Sequence, residues 1–194
     1  MKPPAYGTDE DDTHLLQAAG RGDRRAFAGL MAAHGAFALS LATRMTGNAA
    51  DADEVVQEAF LRAWKMAPDW RPDSGARFRT WLYRVVLNLC LDRGRRAPFL
   101  PMEDVAEPED PAPSELERLS GAEARRVVAD LLAKLPERQR AALALCYLDD
   151  LTASQAAQVM GLSLSALEAL LVRGRRGLRK GLAWRGFSRF DDIL

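Results

Sequence analysis

Residues 97–115, APFLPMEDVAEPEDPAPSE, set the first limit on what this chain can fold into. The stretch holds five prolines and a cluster of acids, and no hydrophobic period runs through it. Proline cannot continue a helix and biases the residue before it to extended backbone. A flexible acidic linker, taken as 98–120, is therefore expected to cut the 194 residues into two small domains. Each piece must then build a core of its own.

Charge is divided the same way. The chain has 27 basic and 27 acidic residues and no net charge, yet the sum is +2 through Ala97, −6 from Pro98 to Ser120 and +4 from Gly121 onward. Such asymmetry points to partners of more than one kind.

The front piece, 12–97, reads as helices. Apolar residues recur at Leu15, Leu16, Phe27, Leu30, Met31, Phe37, Leu41 and Met45, and Gly20 and Gly22 break the pattern into a short helix and a longer one. DADEVVQEAFLRAWKM puts Val56, Phe60, Ala63 and Trp64 on one face. After a loop rich in Pro and Gly, Asp73 or Ser74 can cap a further helix. In that helix Phe78, Trp81, Leu82, Val85 and Leu89 are expected to be buried.

Two surfaces of opposite sign follow from these patterns. Asp51, Glu54 and Glu58 share a helix face, Gln57 lies beside them, and no Lys or Arg occurs between Asp51 and Leu61. The face suits a basic protein surface; it equally suits a solvated helix N-terminus. The helix at 78–96 instead gathers arginines. Its side opposite the expected core shows Arg77, Thr80, Arg84, Asn88, Leu91 and Arg95. Arginines suit phosphate, and an unstacked base needs a flat ring and an amide to read its edge. Asn88 offers the amide, and Trp70, Arg71 and Asp73 stand in the preceding loop. Trp81 reads as core; Tyr83 and Trp70 fit either core packing or base stacking.

The rear piece, 121–182, reads as four helices. Thr152 and Gln155 form a capping box, Ala156 and Ala157 permit close packing, Gly161 allows a sharp turn, and Ser163 can cap the next helix. Leu162, Leu167, Leu170 and Leu171 give that helix a buried side, which makes the pair a helix-turn-helix. Ser165, Ala166, Glu168 and Ala169 face outward near its start, in position for a major groove. Arg173, Arg175, Arg176, Arg179 and Lys180 follow and can neutralise phosphates. In the tail, 183–194, Trp184, Phe187 and Phe190 are spaced three apart, as in a short apolar ridge.

Other classes find little support. His14 and His34 lack metal-ligand spacing, no histidine lies near the carboxylates of 51–58, and no GxxxxGK loop occurs, so neither a metal nor another cofactor and no enzymatic activity is expected. Cys90 and Cys146 are too few and too far apart for a disulfide framework. No apolar run is seen that approaches the ~20 residues of a membrane span, and the acidic start lacks a signal-peptide core, so membrane insertion is not expected and a cytoplasmic protein is.

The order of parts resembles a bacterial sigma factor of the extracytoplasmic-function (ECF) group of the sigma-70 family. The likeness rests on DADEVVQEAFLRAWK, then FRTWLYRVVLNLCLDRGRR, the proline-rich acidic linker, and LPERQRAALALCYLDDLTASQAAQVMGLSLSALEALLVRGRRGLRK, and covers about 12–182. It implies an all-α protein in which Asp53, Glu54, Gln57 and Glu58 dock on the clamp helices of core RNA polymerase. Trp70, Arg71, Arg77, Tyr83, Arg84, Asn88 and Arg95 would open and read the minus-ten element. Ser163, Ser165, Ala166, Glu168, Ala169, Arg173 and Arg176 would read the minus-thirty-five element of promoter DNA. The first two helices of the rear piece would hold the polymerase flap, the linker would thread the RNA exit and active-site channels, and an anti-sigma factor would cover both polymerase-binding surfaces. Glu168, Ala169 and Leu170 stand where many members carry basic residues, which shifts phosphate contact towards Arg173 and Arg176. The alternative is a transcription regulator that uses the helix-turn-helix alone; it would need neither the acidic face nor the arginine helix.

Overall fold

A computed structural model describes residues 9–71, 77–94, 121–149 and 151–185, with side chains from Glu10 in the first of these and from Arg126 in the third. The described residues are helical, and the chain divides into two units, Met1–Arg93 and Gly94–Leu194. Asp73, Ser74, Arg95, the linker at 98–120, Phe187 and Phe190 lie outside the described residues.

Unit one is built on α1 (Asp9–Gly20), α2 (Arg24–Thr46), α3 (Ala49–Met66), a 3-10 turn (Ala67–Asp69) and α4 (Phe78–Gly94). Local chemistry sets the boundaries. The Asp23 carboxylate accepts from the N–H groups of Arg25 and Ala26 at 2.8 and 3.2 Å and starts α2. Gly47, at φ 70°, ends it, and the Asn48 side chain caps α3 by accepting from Ala50 N–H at 2.9 Å. α2 is the central helix: Leu30, His34, Phe37, Leu41 and Met45 are buried at spacings of three and four, with α1 and α3 packed on it.

Two expectations are corrected here. By length and composition α2 could cross a membrane, contrary to the reading that no run was long enough. One side of it, Leu30, Phe37, Ala38, Leu41, Ala42 and Met45, is instead core of unit one, while Met31 and Leu39 are exposed. The buried side of α4 is also rotated: Phe78, Leu82, Tyr83, Val86, Leu87 and Cys90 are buried, while Trp81, Val85 and Leu89 are only half-buried. The cause lies on α2. The Phe37 ring packs on Tyr83 with centroids 4.3 Å apart, and His34 meets Phe78 edge-on at 5.2 Å. Tyr83 tolerates burial because its hydroxyl accepts from Arg79 Nη2 at 3.3 Å. On α3 the same shift puts Val55 in the core and leaves Val56 half-buried.

Unit two comprises α5 (Gly121–Lys134), α6 (Glu137–Leu143) continuing into a π-helical turn (Ala144–Leu148), α7 (Ala153–Met160) and α8 (Leu164–Trp184). Both halves of the Thr152–Gln155 capping box are present, and Gly161, at φ 64°, turns the chain by 101° between α7 and α8. Ser163 Oγ accepts from Ala166 N–H at 3.2 Å and caps α8. Gly174, Gly177 and Gly181 form a row along α8. A Cβ on these would stand 2.9, 2.5 and 2.6 Å from side-chain atoms of Leu143, Leu135 and Leu131. The missing side chains let α8 settle onto α5 and α6, so Arg173, Arg176, Arg179 and Lys180 are left exposed.

Candidate nucleic-acid interface

On α3, Asp53, Glu54 and Gln57 are exposed and Asp51 and Glu58 half-buried. The face is thus available to a partner, but its charge is partly met from within. Arg93, in the last turn of α4, donates from Nη2 to Glu54 at 2.5 Å and to Asp51 at 2.8 Å. The Glu54 hydrogen bond, foremost, raises the Arg93 pKa further, against a smaller desolvation effect. Arg62 pairs with Glu58 at 2.8 Å, one turn along the same helix. Leu61 continues this face and is 55% exposed. Arg93 lies 39 residues from Glu54, so no local spacing rule finds this contact.

On α4, Arg84 and Asn88 are exposed, as are Arg71 and Arg77 before it. Tyr83 does not join them. At 1% exposure it cannot offer its ring to a base, and its place in the expected minus-ten surface is withdrawn. Arg79 is likewise turned inward, with its guanidinium 5.9 Å from the Phe37 centroid and 5.4 Å from that of Tyr83. The aromatic surface near the arginines comes from Trp81 instead, stacked on Phe78 at 6.0 Å with planes 19° apart. Trp70 meets Phe78 edge-on at 6.2 Å, and its indole N–H has no hydrogen-bond partner among the described residues. Two half-buried indoles therefore flank the start of α4 beside Arg71 and Arg77.

On α8, Ser163, Ser165, Glu168, Ala169, Arg173 and Arg176 are exposed and Ala166 is half-buried. Val172, 57% exposed, joins this outward face and was not anticipated. Ser163 and Ser165 share a hydrogen bond at 3.1 Å at the helix start. Leu167 and Leu171 are buried, whereas Leu162 and Leu170, expected in the core, are half-buried. Arg175 does not belong with the outward cations: it donates to Tyr147 Oη at 3.1 Å and ties α8 to the π-helical turn. No group of three or more His, Cys, Asp or Glu is placed to hold a metal among the described residues.

An acidic helix face, an arginine helix flanked by indoles and a capped helix-turn-helix thus occur in one chain. Residues 30–98 match the family model for Sigma-70 region 2, and residues 125–178 match that for Sigma-70, region 4. The ECF RNA polymerase sigma factor SigM of Mycobacterium tuberculosis is 32% identical over 91% of this chain and 87% of its own length. The chain belongs to the ECF sigma factors of the sigma-70 family. SigE of Mycolicibacterium smegmatis, another ECF RNA polymerase sigma factor, is 34% identical over 74% of this chain, and the match spans 56% of that relative's length. The structure of CnrH in complex with the cytosolic domain of CnrY is similar at 33% identity and a TM-score of 0.66, covering 90% of this chain and 98% of that one. The region 2 match takes in α3, α4 and most of α2, while α1 precedes it; the region 4 match ends inside α8, six residues before Trp184.

Proposed function

We propose that this sigma factor binds core RNA polymerase and directs it to promoters, and that it is held inactive by an anti-sigma factor. Asp53, Glu54, Gln57 and Glu58 dock on the clamp helices. Arg71, Arg77, Arg84, Asn88 and Arg95, with Trp70, hold the opened minus-ten element. Ser163, Ser165, Ala166, Glu168, Ala169, Arg173 and Arg176 meet the minus-thirty-five element. The linker at 98–120 passes through the polymerase channels, and polymerase supplies all of the chemistry, in the cytoplasm. The observation that carries the reading is the pairing within unit one: a carboxylate-and-amide face on α3 and an arginine-and-indole face at α4. A duplex-binding regulator built on the helix-turn-helix has use for neither.

The chemistry is complementary on both sides. Cationic groups on a protein partner match Asp53 and Glu54, and Gln57 can both donate and accept. Phosphates match the arginines, and a base edge matches the Asn88 amide. Replacing Glu54 and Gln57 together with Ala should weaken core-polymerase binding by about 1–3 kcal/mol, roughly 5- to 150-fold, with unchanged helicity by circular dichroism. Unchanged affinity in a fluorescence-polarisation titration would discard the docking assignment. A gel shift with and without core polymerase separates the regulator: that reading requires tight, specific duplex binding by the chain alone.

A further inference from the structure

Two cations are seen on the acidic face among the described residues: Arg62 pairs with Glu58 from within α3, whereas Arg93 reaches Asp51 and Glu54 from the helix assigned to DNA. Arg93 Nη2 carries two hydrogens, and both are taken, by Glu54 at 2.5 Å and Asp51 at 2.8 Å. Two carboxylates around one guanidinium leave a local charge of −1, which repels a phosphate. The three side chains are nevertheless 40%, 64% and 36% exposed, so solvent and partners reach all of them. Exposed pairs of this kind are screened and contribute little, and they exchange readily for a better-placed ion.

We propose that Arg93 is an exchangeable cation: in the free chain Asp51 and Glu54 hold it off nucleic acid, and a cationic surface docking on those carboxylates releases it to a DNA phosphate. The contact makes the protein-facing and DNA-facing sides of unit one mutually dependent. Before docking, the carboxylates are partly neutralised and the arginine is silenced. After docking, the carboxylates face the partner's cations and the net charge around Arg93 turns favourable for phosphate. The step breaks the exposed Arg93–Asp51 and Arg93–Glu54 pairs and replaces them with exposed pairs to the partner's cations and to phosphate, so it stays reversible. The identity of the cationic partner as polymerase rests on the function proposed above; the masking of Arg93 by Asp51 and Glu54 does not.

The test has one arm without polymerase and one with it. In the first, the full chain binds a nonspecific DNA duplex at several salt concentrations, with Arg93→Ala made in the natural sequence and in Asp51→Asn/Glu54→Gln. Masking predicts that Arg93→Ala leaves the salt slope unchanged in the natural sequence. In the neutralised background the same change should lower the slope by about 0.9 and the affinity by about tenfold at 50 mM salt, the value of one phosphate contact. Equal losses in both backgrounds, or no loss in either, would overturn the proposal. In the second arm, holoenzyme carrying Arg93→Ala should bind promoter duplex with a slope shallower by about 0.7–0.9, and Arg93→Lys should restore it, because phosphate needs only the charge. A holoenzyme slope indifferent to Arg93 overturns the exchange even where the Glu54→Ala/Gln57→Ala titration upholds docking. Core binding indifferent to Glu54 and Gln57 instead overturns the identification of the partner, and the polymerase-free arm still decides the masking.

Discussion

Replacing Asp12 with Ala should unfold unit one far more readily than any surface change. Asp12 and His34 are 2% and 0% exposed, and His34 Nε2 lies 2.6 Å from Asp12 Oδ1. The contact is a hydrogen bond between two buried side chains on different helices. Among the described residues Nδ1 has no partner, and the rings of Phe37 and Phe78 stand edge-on at 5.7 and 5.2 Å, so Asp12 supplies the hydrogen bond seen for this imidazole. Leaving a buried polar group unsatisfied costs about 1–3 kcal/mol. We expect a loss of about 3 kcal/mol, which for a unit of this size lowers Tm by about 12–24 °C. Asp12→Asn keeps an acceptor and should lose less than half as much. The apolar pair Asp12→Leu/His34→Phe should recover stability relative to Asp12→Ala, because no polar group is then left buried. Urea unfolding of the full chain, followed by tryptophan fluorescence, reads this unit: Trp64, Trp70 and Trp81 belong to it, and Trp184 alone to the other. A loss under about 1 kcal/mol for Asp12→Ala would refute the claim that this pair fastens α1 to α2.

The same reasoning makes further predictions. Gly177→Leu forces a side chain into the space of Leu135 and should destabilise unit two by about 1–3 kcal/mol in a circular-dichroism melt, despite leucine's better helix propensity; a neutral result would mean that α8 is not seated closely. Asn88→Ala should reduce promoter opening, read by permanganate footprinting, more than it reduces recruitment, by about 1–3 kcal/mol. Tyr83→Phe should leave opening unchanged, because the ring is buried against Phe37; a large opening defect with intact stability would contradict that burial.

What the sequence disclosed was mostly local. Thr152, Gln155, Gly161 and Ser163 act on residues within three positions of themselves, and the structure carries each of them as read. The segment at 97–115 announced two units by composition alone. What stayed hidden depended on residues far along the chain. The side of α4 that is buried is chosen by Phe37 and His34 on α2, and an alternation of Trp, Leu, Tyr and Val fits two registers almost equally. The glycines of α8 were visible as letters, but their purpose appears only beside Leu131, Leu135 and Leu143. The pairing of Asp51 and Glu54 with Arg93 stayed hidden because Arg93 is distant in sequence, and the Asp12–His34 pair joins two helices whose patterns each look complete. The readings at Asp73, Ser74, Arg95, Phe187 and Phe190 fall outside the described residues.

In the function proposed above, this chain gives promoter choice to a polymerase rather than binding duplex by itself. The most direct test of that role is 5′-end mapping of transcripts made in vitro from genomic DNA by purified core polymerase with and without the full chain. Start sites that appear only with the chain and share two upstream elements at constant spacing are the expected result. Transcripts indifferent to the chain, alongside specific duplex binding by the chain alone, would contradict it.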